Sequence, residues 1–164
     1  MTTHRSNAVK GGSMPEILDL PGVVLCRSAE FISADDSIVS GDTLLMVPIP
    51  KNAKVLKLDV YYTALPAGTT GCDIGYGGDP DAFIISLPMT GQNVKTYPGC
   101  VIRTSLATGD IIGIRDNPVG MLHTFTANDT IDIAFKKLAT KIPTSQHLKM
   151  AVWYKMIGTI KDET

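Results

Sequence analysis

The chain has 164 residues, 44% of them hydrophobic and 19% charged, enough for one packed domain and too apolar for general disorder. Fifteen Lys and Arg against sixteen Asp and Glu leave a net charge of −1, which excludes the strong basic field of a nonspecific nucleic-acid binder. No apolar run reaches the ~18 residues of a membrane span, and the first twenty residues lack the apolar centre of a secretory signal, so neither membrane nor nucleic acid is an expected partner.

Residues 1–22 read as an arm. They are polar up to Gly11-Gly12, and then Ser13 and Glu16 form a capping-box pattern around Pro15. The helical turn or two this predicts would present Ile17, Leu18 and Leu20 before Pro21-Gly22 ends it. So short a segment is marginal alone, so the arm is expected to order by docking, on its own domain or on a neighbour. From residue 23 strand signals take over. VVLCRSAEFIS (23–33) is apolar and extended, Ser40-Gly41-Asp42 turns, and TLLMVPIP (43–50) follows, with Pro48 and Pro50 placing it at an edge or ending it early. KVLKLDVYY (54–62) alternates, sending Leu56, Leu58, Val60 and Tyr62 one way and Lys57, Asp59 and Tyr61 the other.

Beyond Pro66-Ala67-Gly68, CDIGYG (72–77) and AFIISL (82–87) flank Gly78-Asp79-Pro80-Asp81 as a hairpin. A short strand is read in CVIRTSL (100–106), and DIIGIR (110–115) with MLHTFT (121–126) reads as a second hairpin. In TIDIAF (130–135), Ile131, Ile133 and Phe135 share a face; in HLKMAVWYKMI (147–157), Leu148, Met150, Val152, Tyr154 and Met156 do. Nine or ten short strands at this spacing, with no long helix, predict an all-β fold, an antiparallel β-sandwich of jelly-roll type over 23–160 with an N-terminal extended arm and a tail at 161–164.

No G-x-S-x-G, Walker-type or H-E-x-x-H motif occurs, so no catalytic, cofactor-binding or metal residue is assigned and no enzyme activity or cofactor is expected. The cysteines Cys26, Cys72 and Cys100 are expected reduced; a thiol nucleophile would need His4, His123 or His147 as its base. Asp73, Asp79 and Asp81 are weighed as oxygen ligands for a hard cation, against the turn chemistry of Asp beside Pro80. Asp35-Asp36 and Asp129/Asp132 read as solvated turns or strand edges, and His123 and His147 as histidines of a sandwich face. Trp153-Tyr154 and Tyr61-Tyr62 each split across a strand, leaving one member to the core and the other to a ligand or subunit contact. The expected interface residues are therefore Pro15, Ile17, Leu18 and Leu20 of the arm with Tyr61 and Trp153.

The stretch AEFISADDSIVSGDTLLMVPIPKNAKVLKLDVYYTAL (29–65) resembles a pattern in small structural proteins of tailed bacteriophages. That pattern is a first strand, a Gly-Asp turn, an apolar strand, Ile-Pro-x-x-Ala, then an alternating strand ending near Thr-Ala-Leu. CDIGYGGDPDAFI (72–84), TFTANDTIDIAF (124–135) and LKMAVWYKMIG (148–158) are similar to its later elements. The family is that of capsid decoration, or cement, proteins with a jelly-roll β-sandwich. The resemblance implies a homo-oligomeric virion protein, a homodimer or homotrimer, made in the bacterial host cytoplasm. It would bind the outer surface of the capsid and bridge subunits of the phage major capsid protein. The alternative is a carbohydrate- or receptor-binding head-fibre or tail module of the same fold.

Overall fold

The computed structural model describes residues 1–11, 23–33, 38–62, 71–87, 93–98, 103–105, 110–112, 123–138, 142 and 146–158. In chain order the elements are β1 (Thr3–Arg5), a one-turn helix α1 (Asn7–Lys10), β2 (Val24–Ile32), β3 (Thr43–Ile49), β4 (Ala53–Tyr62) and β5 (Cys72–Tyr76). There follow β6 (Asp79–Leu87), β7 (Asn93–Pro98), β8 (Arg103–Ser105), β9 (Asp110–Ile112), β10 (Asp129–Phe135) and β11 (His147–Met156). They form sheet A, ordered β1-β3-β10-β5-β6, sheet B, ordered β2-β11-β4-β7, and a small β8-β9 pair.

The chain is an all-β sandwich. Set aside β1 and the β8-β9 pair, and number the other described strands one to eight. Sheet B is then 1-8-3-6 and sheet A 2-7-4-5, a long hairpin rolled over itself with strand partners 1-8, 2-7, 3-6 and 4-5. That order is a jelly roll, which lets the apolar faces of two antiparallel sheets cover each other. The core is the sum of the alternating faces: Phe31, Leu58, Val60, Leu148, Met150, Val152 and Tyr154 from sheet B against Leu44, Met46, Ile74, Phe83, Ile84, Ile131, Ile133 and Phe135 from sheet A, all buried.

Two departures from simple alternation matter. Trp153 pairs Lys57 whereas Tyr154 pairs Val55, so β4 bulges at Leu56. The bulge puts Val55 into the core with Leu58, and Leu56, expected inside, is only half-buried. Pro48 does not make β3 an outer strand. β1 lies alongside Thr43–Leu45, and beyond Leu45 that side of β3 has no strand partner among the described residues, so Pro48 costs no ladder bond there. Of the hairpin expected between 110–115 and 121–126, residues 113–122 lie outside the described residues; β9 pairs β8, and residues 123–128 carry no strand.

The first eleven residues are part of the sandwich, so its edge does not fall at residue 23. β1 pairs parallel to β3, the one parallel ladder among the described strands and a departure from the wholly antiparallel expectation. Ser6 caps α1 by accepting from Val9 N and donates its own hydroxyl to Met46 O. Asn7 Oδ1 then accepts Glu30 N–H at 2.9 Å, on the edge strand of sheet B. The segment thus ties sheet A to sheet B and satisfies a donor that an open edge would leave exposed. Residues 12–22, which hold the expected helix, Pro15, Ile17, Leu18 and Leu20, lie outside the described residues, as does the tail at 161–164.

Candidate functional site

The outer face of sheet B follows from its register. Successive rows across β2, β11 and β4 read Val24-Lys155-Lys54, Cys26-Trp153-Lys57, Ser28-Ala151-Asp59 and Glu30-Lys149-Tyr61, with Ile32-His147 at the end. Lys57, Asp59 and Tyr61 pair in register with Pro98, Thr96 and Val94 of β7. Tyr61 and Trp153 are therefore brought to one face, on neighbouring strands and two rows apart, roughly 13 Å along the strands. Their neighbours Tyr62 and Tyr154 are buried, as the alternation predicts.

Lys57 fixes the middle of this face. Its Nζ stands 4.2 Å from the centroid of the Trp153 ring and 3.0 Å from Asp59 Oδ2. The ammonium is attracted both by the indole face and by the carboxylate, which restrains the ring and lowers the entropy Trp153 would lose on contact. One step along, Glu30 Oε1 meets His147 Nδ1 at 2.8 Å and Lys149 Nζ at 3.2 Å. Those two partners hold the Glu30 carboxyl below its usual range, His147 foremost. Around this frame Val24, Ile32 and Tyr61 (37%) are exposed. The result is a broad, rigid plane of mixed aromatic, aliphatic and charged groups. A plane of this kind suits a protein–protein contact better than a small-molecule cleft.

The other sequence candidates disperse. Asp73 is fully buried, accepting Ser86 N–H at 2.9 Å and pairing with Lys136. Asp79 is drawn upward in pKa, by burial first and then by its hydrogen bond to Asp81. Among the described residues no three His, Cys, Asp or Glu side chains are grouped to hold a metal. His123 stacks on Tyr76 with centroids 4.3 Å apart, His4 is buried against Asp42, and His147 sits on the open face with Glu30. Cys72 is buried, which with nearby Asp73 pushes its thiol up to about 12; Cys26 is exposed but also raised, by partial burial and Asp59. Neither is an activated thiolate. Asp35, Asp36 and Cys100 lie outside the described residues.

Three site features went unread in the sequence. Asp42, taken as a turn residue, is an acceptor for Thr2, His4 and Val39. Lys57 was seen as outward-facing, without its place over Trp153. Asp132 faces away from the core, as the alternation of 130–135 implies, yet it is covered.

No family model matches the chain, and no curated protein does. Among solved structures, a chain of the capsid of Ralstonia phage GP4 superposes with a TM-score of 0.69 at 13% identity, over 96% of this chain and 99% of that one. A chain of the cyanophage Pam1 capsid asymmetric unit superposes with a TM-score of 0.54 at 18% identity, over 88% and 92%. The fold is shared across nearly the whole length of both.

Proposed function

We propose that the chain is a structural component of a tailed-phage virion. It binds the outer surface of the capsid and stabilises the shell by bridging subunits of the major capsid protein, as a self-associated dimer or trimer, and catalyses nothing. The observation that carries this reading is the whole-chain likeness to the GP4 capsid chain, which is 99% covered. The likeness thus spans both chains almost from end to end. The open face of sheet B supplies the contact plane, with Trp153 and Tyr61 as its anchors. A glycan-binding module is less well supported: an ammonium already stands over the Trp153 ring, where a sugar would stack.

The test is decoration of shells from the phage that carries this chain, with electron microscopy locating the added density. The wild-type chain should cosediment with bare shells and raise their rupture temperature. Trp153→Ala with Tyr61→Ala should weaken cosedimentation at least about tenfold, the loss of roughly 1.4 kcal/mol or more that one interface anchor supplies. Density confined to a fibre or tail, or unaltered decoration by the double variant, would refute the shell reading or its contact plane respectively.

A further inference from the structure

A second feature lies on the opposite side of the molecule, on the outer face of sheet A. There a hollow of about 210 Å³ is walled by Leu45, Tyr76, Pro80 and Ala134, with Met1 at its lip and Asp132 lining it. The strands explain its form. Asp132 pairs Leu45 on β3 and Gly75 on β5, beside a bulge in the β3–β10 register. At Gly75 a Cβ would stand 2.1 Å from Asp79 O and 2.3 Å from the Pro80 carbonyl carbon, so only glycine lets the β5–β6 hairpin fold this close and put Pro80 into the wall.

Asp132 is 7% exposed, and its Oδ1 accepts no hydrogen bond. Thr130 serves the carboxyl, and no described cation pairs with it. A covered carboxylate with an idle oxygen beside an apolar hollow lacks a partner of definite chemistry: a cation on an aliphatic stem.

We propose that this hollow receives the side chain of a lysine from a neighbouring protein, its methylenes against Leu45, Pro80 and Ala134 and its ammonium on Asp132 Oδ1. Lysine fits better than arginine. A guanidinium is bound best by two carboxylate oxygens in parallel, and here Thr130 already serves the carboxyl and a single oxygen is idle. The space suffices: a cavity of about 150 Å³ admits benzene, which has one more heavy atom than a butylammonium. The hollow would bind its lysine whether or not the chain sits on a shell.

The experiment titrates the isotopically labelled full chain with n-butylammonium, n-butylguanidinium and 1-butanol, followed by NMR. n-Butylammonium should give saturable amide shifts at Leu45, Tyr76 and Ala134, with a Kd of about 1–30 mM, the range open to five heavy atoms. The Asp132 carboxyl carbon should move toward its ionised position in step. The guanidinium should bind several-fold more weakly and the alcohol should give no saturable shift. Asp132→Asn should abolish binding with the spectrum still dispersed. Ala134→Leu, which fills the hollow and leaves the charge, should abolish it too. Equal shifts from 1-butanol, persistence in either folded variant, or no saturation by n-butylammonium would overturn the proposal.

Discussion

Two of the carboxylates buried at sheet A are treated in opposite ways. Just before β3, Asp42 is 2% exposed; in the middle of β10, Asp132 is 7% exposed. Burial raises both pKa values. At Asp42 that effect is outweighed by His4 Nε2 at 3.0 Å, Val39 N–H at 3.1 Å and Thr2 N–H at 2.7 Å, and the carboxyl ends below its usual range. At Asp132 only Thr130 opposes burial, the nearby Asp129 charge adds to it, and the pKa reaches about 7. Depth does not decide whether a buried carboxylate is a strut or a liability. The number of donors aimed at it does.

The two sites therefore pull stability in opposite directions with pH. Asp42, with its folded pKa depressed, stabilises above the unfolded value, and that contribution is lost as pH falls through the folded one. Asp132, with its folded pKa raised, opposes folding increasingly as pH rises from about 4 to about 7, and by a constant amount above that.

The largest effect should come from destroying the well-served site. Asp42→Ala leaves the Thr2 and Val39 amides and the buried His4 ring without their acceptor. The expected loss is about 3–5 kcal/mol in urea unfolding near neutral pH, since one partner of a buried pair has been removed. β1 should loosen first, because Asp42 holds Thr2 and His4 on either side of its first residue; hydrogen exchange at Thr43 N, bonded to Thr2 O, reads this directly. A loss below about 1 kcal/mol would mean that the corner is redundant and the contrast with Asp132 empty.

The opposite sign is expected next. Asp132→Asn removes a charge the fold does not satisfy. It should raise stability at pH 8 by roughly 2–4 kcal/mol, bounded by the three or so units between about 7 and the unfolded pKa, and leave it almost unchanged at pH 4. Unfolding curves across that pH range should show the wild-type decline flattened in the variant. A destabilised variant at pH 8 would show that the Asp132 carboxylate already has a partner.

Much of the fold was legible, because period-two alternation in β4, β10 and β11 carries the core directly: Leu58, Val60, Ile131, Ile133, Phe135, Leu148, Met150 and Val152 all lie where their spacing put them. Alternation fails at a bulge, where one extra residue reverses the phase without any mark in composition. That is why Leu56 was assigned inward and Val55 was not assigned at all. That Tyr61 and Trp153 turn away from the core was legible by elimination, since each stands beside a neighbour that the core claims. The N-terminal strand was not. Thr3–Arg5 is polar and three residues long, and what holds it is Asp42, forty residues away. Asp132, expected in a solvated turn or strand edge, is buried instead, because no local pattern reveals that a hairpin made possible by Gly75 folds over that face. Long-range cover of this kind is set by topology, which alternation along a single strand does not encode.

The smallest expected effect sharpens the comparison most, because it changes one donor and little else. Thr130→Val keeps the shape and β propensity of the side chain and removes the hydroxyl that serves Asp132. If donors rather than depth govern these carboxylates, Asp132 should titrate still higher, by a few tenths of a unit to one unit in a carboxyl NMR titration. Stability at pH 8 should fall by about 0.5–1.5 kcal/mol, the net value of a typical intramolecular hydrogen bond. At pH 4, where Asp132 is protonated in the folded protein, the loss should shrink to the cost of the swap itself. Combined with Asp132→Asn, the pH-dependent part should vanish, because the hydroxyl then has no charge to stabilise; a double-mutant cycle at the two pH values isolates that coupling. A Thr130→Val penalty that is equal at both pH values would place the hydroxyl's contribution in packing, and would leave burial alone to explain why Asp132 differs from Asp42.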